Sequence, residues 1–196
     1  MKVQDSMGKE ILVEVSARHV HLCQSDLAVL FGENYQLTKK KDLSQPGQFA
    51  CEERVDIVGP KATIKNVVIL GPVRPKTQVE VSLTDSRTLG INVLVRESGD
   101  LAGSSPCKIV GPLGQVDISE GLIAAKRHLH VFSGEADELG VSEQELVSIK
   151  LATDGRSLVF HDVVVRVSDK FRTAVHLDTD EANAAGFISG YGEIVK

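Results

Sequence analysis

The chain has 196 residues and a net charge of −5, which argues against nucleic-acid binding, because that function needs a basic surface. Aromatic residues make up only 4% and tryptophan is absent, so base-stacking platforms are disfavoured as well. No apolar run approaches the roughly 20 residues that span a bilayer, and Cys23, Cys51 and Cys107 lack the spacing of a disulfide framework or zinc finger. The composition predicts a cytoplasmic globular protein without nucleic-acid or membrane partners.

Strand signals dominate along the chain. Short segments rich in valine and isoleucine run in the order ILVEV, ERVDIVG, TIKNVVIL, TQVEVSL, INVLVR, KIVG, ELVSIKL, LVFHDVVVRV and TAVHL, and Gly-Pro dipeptides separate several of them. Two short helices are predicted: QSDLAVLF, which ends at Gly32, and SGEADEL, which has Ser133 as N-cap and ends at Gly140. This pattern predicts a mainly β fold of barrels or sandwiches with short helical caps.

Two parts of the chain are related in sequence. Residues 67–91 align without a gap with residues 163–187, and an Arg-His-x-His segment precedes a predicted helix in each half. The repeat predicts two related β-domains. We assign the first to residues 1–118 and the second to residues 119–186. The final strand, within residues 187–196, suits either domain and is assigned to the first.

The repeat also defines two sets of candidate metal ligands, because Glu80 aligns with His176. One set is His19, His21 and Glu80, and the other is His128, His130 and His176. Residues i and i+2 of a strand share a face, with backbone positions about 6.6 Å apart, so each histidine pair can converge on one ion. Three ligands per ion leave a coordination position open, as in catalytic sites. Nitrogen-rich ligand sets favour zinc, with iron, nickel, copper and manganese as alternatives.

Each of these residues also has a purely structural interpretation. A single His-x-His pair is more often a surface or hydrogen-bonded pair than a ligand pair, and Glu80 could instead pair with Arg74 or Lys76. His161 has no counterpart in the repeat and is interpreted as an ordinary strand histidine.

Arg74 follows a Gly-Pro turn, and its guanidinium suits phosphate binding through two hydrogen bonds, although an exposed loop arginine is the alternative. The sequence contains no P-loop or Rossmann glycine motif and ties no cysteine to a histidine.

Six motifs together resemble one family, the phosphate propanoyltransferases, which are phosphotransacylases of the propanediol-utilisation type. These motifs are VEVSARHVHL, LSQPGQFA, ILGPVRPKTQVEVS, RESGDLAGS, AAKRHLHV and HLDTDEANAAGF. The resemblance extends from residue 11 to the C-terminus. It implies two β-barrel domains with helical caps and a dinuclear zinc site at their junction. It also implies the reversible conversion of a short-chain acyl-CoA and phosphate to an acyl phosphate and CoA.

The resemblance also assigns roles to residues. It implies that the two candidate ligand sets hold two zinc ions and that Arg74 is the catalytic, phosphate-binding arginine. Four residues stand where the family contacts CoA: Ser16, Lys41, Lys61 and Asn183. Two positions depart from the family pattern, because Val68 stands where arginine is common and Cys23 stands where serine commonly caps the first helix. One CoA contact is therefore expected to be missing or replaced, and the first helix is expected to be poorly capped.

Further expectations concern location, assembly and rival functions. Microcompartment members of the family carry an amphipathic N-terminal segment, whereas here few residues, mostly polar, precede the first strand, so we predict a free cytoplasmic enzyme. The sequence does not determine the oligomeric state, and a homo-oligomer is one alternative. The rivals are a dinuclear metal hydrolase, either a thioesterase or a phosphoesterase, and a non-enzymatic metal-dependent binding protein. Acetyl-CoA and propanoyl-CoA are equal candidates, because one methylene is worth only about 1–3 kcal/mol in a pocket.

Overall fold

The computed structural model describes residues 9–195. The prediction about an N-terminal encapsulation segment concerns the residues before that range and lies outside the described part. The fold is mainly β, as predicted. None of the described helices is long and apolar enough to cross a membrane.

Fourteen strands and four short α-helices make up the described chain. The strands are Glu10–Ser16 (β1), His19–His21 (β2), Lys39–Asp42 (β3), Phe49–Val58 (β4), Thr63–Gly71 (β5), Gln78–Glu80 (β6), Val95–Arg96 (β7), Ser105–Val110 (β8), Gln115–Ala125 (β9), His128–Phe132 (β10), Leu146–Leu151 (β11), Leu158–Ser168 (β12), Ala174–Asp178 (β13) and Gly190–Val195 (β14). The helices are Gln24–Phe31 (α1), Leu83–Leu89 (α2), Ala136–Leu139 (α3) and Thr179–Ala185 (α4), with a 3-10 turn at Ser133–Glu135.

The chain divides into two compact units. The continuous unit is residues 17–126, and the split unit combines residues 9–16 with residues 127–195. Each unit closes a six-stranded barrel around its own apolar core. The predicted pair of related β-barrels is therefore confirmed.

The barrel of the continuous unit follows the order β4, β5, β2, β6, β9 and β8, and β8 pairs back onto β4. Strand β3 extends the sheet beside β4, and the two-residue strand β7 lies beside β9. Inward residues of the strands alternate with exposed ones, and fully buried core side chains include Val20, Ile57, Ile69 and Leu122. This alternation is what a closed barrel requires, since only one face of each strand meets the core.

The barrel of the split unit follows the order β1, β13, β10, β12, β11 and β14, and closes because β14 pairs with β1. Strand β1 runs parallel to β13, with Val13 opposite Val175, and antiparallel to β14, with Leu12 opposite Tyr191. These units differ from the predicted boundaries of 1–118 and 119–186. Strand β1 lies in the split unit because Ile11 and Val13 bury their side chains in its core. The final strand lies in the same unit because it pairs with β1 and β11.

The strand that precedes each Arg-His-x-His segment belongs to the other unit. Strand β1 pairs within the split unit, while the following histidines, in β2, pair within the continuous unit; β9 and β10 show the reverse arrangement. The ladder registers are equivalent in the two barrels, with His19 opposite Glu80 and His128 opposite His176. The sequence repeat thus corresponds to a repeated strand pairing.

Both predicted helical segments are helical. Helix α1 covers the predicted QSDLAVLF segment, and its N-cap residue Cys23 makes no side-chain capping hydrogen bond, as expected of a cysteine. The SGEADEL segment forms the 3-10 turn followed by α3, and it ends at Gly140. The prediction of Ser133 as N-cap is wrong, because its hydroxyl donates instead to Asp169 and the residue lies inside the 3-10 turn.

Helices α2 and α4 were not predicted, and they occupy equivalent positions in the repeat. Each begins with a capping box, formed by Ser82 with Asp85 in α2 and by Asp178 with Glu181 in α4. Each ends at a glycine in the left-handed conformation, Gly90 or Gly186. A capping box satisfies two of the backbone N–H groups at a helix start, which makes a helix of only seven residues possible.

Two Gly-Pro turns support the ends of the first two helices. In the β4–β5 turn the Lys61 N–H donates to the Leu89 carbonyl at 3.0 Å, and in the β8–β9 turn the Leu113 N–H donates to the Leu30 carbonyl at 3.1 Å. The backbone approach is so close that a Cβ added at Gly59 would lie 2.3 Å from the Leu89 oxygen. Only glycine fits there.

Gly59→Ala is therefore expected to destabilise the continuous unit by about 1–3 kcal/mol, the usual cost of overpacking. Urea unfolding followed by circular dichroism measures this. Thr63→Ala, at an exposed position of the same hairpin, is the control and should leave the midpoint unchanged. Equal midpoints for Gly59→Ala and the native protein would contradict the packing argument.

Candidate metal and phosphate site

The continuous unit brings one predicted ligand set together. His19 and His21 leave the same face of β2, and Glu80 lies opposite His19 on β6. Their potential ligand atoms all lie within 4.8 Å of one another, with the His19 Nε2 atom 3.4 Å from Glu80 Oε2. All three residues are buried. Burying three ionisable groups without a balancing ligand is costly, and a cation among them would offset that cost.

Backbone carbonyls orient both rings of this set. Nδ1 of His19 is 2.9 Å from the Ala17 oxygen, and Nδ1 of His21 is 3.2 Å from the Leu70 oxygen. A carbonyl only accepts, so each Nδ1 carries the proton and each Nε2 keeps its lone pair for an ion, as is usual for ligating histidines.

Electrostatic interactions within this set favour a neutral His21 and an ionised Glu80. Burial, together with neighbouring His19 and Arg74, lowers the pKa of His21 to about 3, so His21 is neutral at pH 7. Burial alone would lower the pKa of His19, but the Glu80 carboxylate outweighs burial and raises it. Burial alone would raise the pKa of Glu80, yet contact with His19 lowers it well below its usual range. Glu80 is thus held ionised.

A hydrogen-bond network fixes the other oxygen of Glu80. Ser98 donates its hydroxyl to Glu80 Oε1 at 2.9 Å, and Gln78 donates its amide to the same oxygen. The side-chain oxygen of Gln78, Oε1, in turn accepts from the Gly99 N–H at 3.0 Å. Arg74 donates to the Ser98 hydroxyl at 3.3 Å. The network thus occupies Oε1, leaves Oε2 facing His19, and connects Glu80 with Arg74.

The split unit brings the second predicted ligand set together. His128 and His130 lie on β10 and His176 lies opposite His128 on β13, and their potential ligand atoms are again within 4.8 Å of one another. Nδ1 of His176 is 3.7 Å from Glu14 Oε2 on the neighbouring strand β1. A carboxylate beside a ligating histidine is a common supporting arrangement in metal sites.

His130 carries the feature that best fits a metal ligand. Its Nδ1 atom is buried and has no hydrogen-bond partner among the described residues, whereas nearly all buried polar atoms in proteins are paired. Burial and the neighbouring His128, His176 and Arg166 lower the pKa of His130 to about 2. The ring is therefore neutral, with a buried nitrogen whose pairing requirement an ion would satisfy.

The arginine of each Arg-His-x-His segment has the same structural partner in both units. Arg18 donates to Asp85, and Arg127 donates to Glu181 at 2.8 Å. Both acceptors are the third helical residue of a capping box. These arginines connect each His-x-His strand to the start of the helix that follows the third ligand, which explains why the repeat includes arginine. Sequence reasoning assigned no role to either.

Arg74 lies in a pocket beside the first ligand set. The pocket has a volume of about 320 Å³ and is lined by Arg74, His21, Gln48 and the turns around Gly47 and Gly71. Arg74 is half-buried, and its backbone N–H donates to the Leu22 carbonyl at 2.8 Å, immediately after β2. A guanidinium fixed in a small pocket next to His21 matches the geometry for binding an oxyanion.

The alternative interpretation of Glu80 as a partner of Lys76 does not hold. Lys76 lies 3.2 Å from Glu120 instead. His161 lies on β12, exposed, with Nδ1 2.8 Å from the Ser148 hydroxyl, which agrees with an ordinary strand histidine.

The four predicted CoA-contacting residues are distributed over the two units. Lys41 and Lys61 are exposed in the continuous unit, on β3 and in the β4–β5 turn. Ser16 ends β1 and Asn183 is exposed on α4, both in the split unit. No described hydrogen bond or ion pair assembles them into a common pocket, so their role stays a prediction.

Comparisons with known proteins bear on these two clusters. A family model described as phosphate propanoyltransferase matches residues 12–188. The chain belongs to the phosphate propanoyltransferase family. It is therefore an acyltransferase enzyme, and the resemblance found in its motifs is confirmed. The matched range contains both ligand sets, Arg74 and Ser98.

Curated relatives in the phosphate propanoyltransferase family agree. A phosphate propanoyltransferase from Clostridioides difficile is 54% identical over 180 residues, which cover 92% of this chain and 86% of the relative. One from Listeria monocytogenes is 54% identical over 185 residues, covering 94% and 86%. A third, from Thermotoga maritima, is 49% identical over 180 residues, covering 92% and 86%. The similarity is thus spread over both units.

Ser98→Ala is expected to reduce kcat/KM about 10–100-fold, the usual effect of removing a group that supports a metal ligand. The substitution removes one donor to Glu80 and the acceptor of Arg74 at once. Steady-state kinetics with varied phosphate, together with metal content, measure the effect. Ser119→Ala, at an exposed position of β9, is the control. A Ser98→Ala variant with native kinetics would show that the network is dispensable.

Proposed function

We propose that this enzyme transfers a short-chain acyl group, acetyl or propanoyl, between CoA and phosphate at two zinc ions, one held by each ligand set. The observation that carries the proposal is the buried His130 Nδ1, which has no hydrogen-bond partner among residues 9–195 and lies within a group of three histidines. A second group of potential ligands, His19, His21 and Glu80, lies in the other unit. Family membership supplies the acyl-CoA and phosphate chemistry. Together they favour a metal-dependent phosphate acyltransferase.

The ligand sets fit divalent zinc by their chemistry. Five imidazoles and one carboxylate make up the two sets, and neutral imidazole is a preferred zinc ligand. A divalent ion in such a site acts as a Lewis acid that stabilises negative charge. In the chain itself, the carbonyls at Ala17 and Leu70 hold two rings in the required tautomer, and Ser98 with Gln78 holds Glu80.

The reaction balances with hydrogen phosphate as the nucleophile. A phosphate oxygen forms a bond to the thioester carbonyl carbon, and the carbon–sulfur bond breaks with its electron pair leaving on sulfur. The proton carried by hydrogen phosphate is finally transferred to the CoA thiolate, which gives acyl phosphate and CoA. No oxidant or reductant is needed. Two of the three cysteines, Cys51 and Cys107, are buried, and burial raises their pKa values, so neither suits the role of a nucleophile.

Arg74 is assigned to the phosphate. Its guanidinium would hold the anion by two hydrogen bonds and offset its charge, so that attack occurs from a fixed position. The Ser98 hydroxyl accepts from Arg74 and so limits the orientations of the guanidinium. Arg74 is thereby coupled to Glu80 through a single side chain.

The test is thiol release from acetyl-CoA and propanoyl-CoA, with and without phosphate, on zinc-loaded and chelated protein. Release that requires both phosphate and metal, with acyl phosphate formed in equal amount, is the expected result. Release in the absence of phosphate would instead identify a metal hydrolase, and no release under any metal loading would leave a binding protein. Trapping of an acyl-enzyme would contradict direct attack.

A further inference from the structure

We propose that Arg166 is a second anion-binding residue, which holds phosphoryl oxygens of a substrate beside His128, His130 and His176. The proposal rests on the proposed function for the identity of the substrates. It assigns to the split unit a residue that neither the repeat nor the motifs single out, since the repeat aligns Arg166 with Leu70.

The position of Arg166 follows from the strand ladder. Strands β10 and β12 run parallel, and Arg166 lies directly opposite His130, so the two side chains leave the same face of the sheet. The Arg166 guanidinium lies over the Phe171 ring at 5.8 Å, and that ring stacks on His130 with centroids 3.9 Å apart. Phe171 therefore contacts both side chains and restricts the guanidinium to the neighbourhood of the histidines.

Arg166 differs from the other half-buried arginines because it has no polar partner in the described part of the chain. Arg54 donates to three backbone carbonyls, Arg96 pairs with Asp100, Arg127 donates to Glu181, and Arg74 donates to Ser98. Within the described range, 9–195, Arg166 has neither a hydrogen bond nor an ion pair, while its guanidinium lies over the Phe171 ring and its charge acts on His130. A half-buried guanidinium whose five donors bond no described protein group is available to a ligand.

The missing partner is best supplied by an anion with several acceptor oxygens. The planar fork of a guanidinium matches a phosphoryl group through two parallel hydrogen bonds, whereas a neutral thioester offers it a single weak acceptor. Phosphoryl oxygens occur in inorganic phosphate, in the acyl phosphate product, and in CoA. The shared chemistry is therefore a phosphoryl group, and binding measurements with separate ligands distinguish its sources.

The experiment compares the native enzyme with Arg166→Met by calorimetry, titrating inorganic phosphate and CoA separately into protein as isolated with its metal. Methionine keeps an unbranched apolar stem against Phe171 while it removes the donors. Lys170→Met is the matched control, because it removes a positive charge from an exposed neighbouring position. Metal content and the thermal midpoint are measured for all three proteins.

We expect Arg166→Met to lose affinity for one of the two ligands by at least roughly tenfold, as for a lost charge-assisted hydrogen bond, at unchanged metal content and midpoint. Loss for phosphate places the reacting phosphoryl group at Arg166, and loss for CoA places a CoA phosphate there. Unchanged affinity for both, or equal losses in Lys170→Met, would overturn the proposal. These binding results do not require turnover, so they stay separate from a failure of the proposed reaction.

Discussion

His130→Ala is expected to lower the zinc content from two ions to about one per chain and to reduce kcat/KM by at least about 10³-fold, because a lost metal ion removes several kcal/mol of charge stabilisation. The imidazole is buried and belongs to the group of three histidines within 4.8 Å. Its loss leaves two ligands, too few for a stable zinc site. Elemental analysis and steady-state kinetics give the two readouts.

Two further variants keep this prediction testable if His130→Ala folds poorly. His176→Ala removes a half-buried ligand of the same set, and His161→Ala removes an exposed histidine outside both sets. We expect His176→Ala to lose one ion and His161→Ala to keep both. Two ions retained in either ligand variant would exclude the proposed ligation in the split unit.

Arg74→Met has the second largest expected effect, an increase of roughly 10–150-fold in KM for phosphate, since a hydrogen bond to a charged group is worth about 1.5–3 kcal/mol. The KM for acyl-CoA should change little, because the Arg74 pocket is small and adjoins His21 rather than the exposed lysines assigned to CoA. Initial-rate kinetics with each substrate varied in turn separate the two constants.

Arg74→Lys refines the same prediction. Lysine keeps the charge but loses the planar fork, so it should recover only part of the phosphate affinity. Arg87→Met, on an exposed face of α2, serves as the control for loss of one positive charge. An Arg74→Met enzyme in which both KM values rise equally would indicate a general structural defect rather than a phosphate contact.

The sequence predicted the fold class and the two clusters because both are properties of periodic strands. A His-x-His pair on a strand places both rings on one face, and the gap-free repeat brought Glu80 and His176 into equivalent positions. The same reasoning could have identified Gln78, since it precedes Glu80 by two residues and lies on the same face of the strand. Ser98 was not, because it lies in a loop whose path the sequence does not determine.

Strand partners were the part that sequence order predicted poorly. Short strands of similar composition suit several neighbours, and the choice depends on which core buries the inward face. Strand β1 was assigned to the unit that follows it in the chain, yet Val13 packs in the other core. Helices α2 and α4 were missed for a different reason. Seven residues are too few to show a helical repeat of apolar positions, although both capping boxes are visible in the sequence.

The split unit has a consequence for the order in which the protein is completed during synthesis. Strand β1 leaves the ribosome before the other described strands, but its neighbours β13 and β14 are the last two of those strands to emerge. The continuous unit has all its strands within residues 17–126, so its barrel can close while translation continues at about 5–20 residues per second. The other barrel must wait for β13 and β14, and β1 lacks both of these neighbours in the meantime. A nascent chain stalled before residue 190 would therefore carry one finished barrel and one open one.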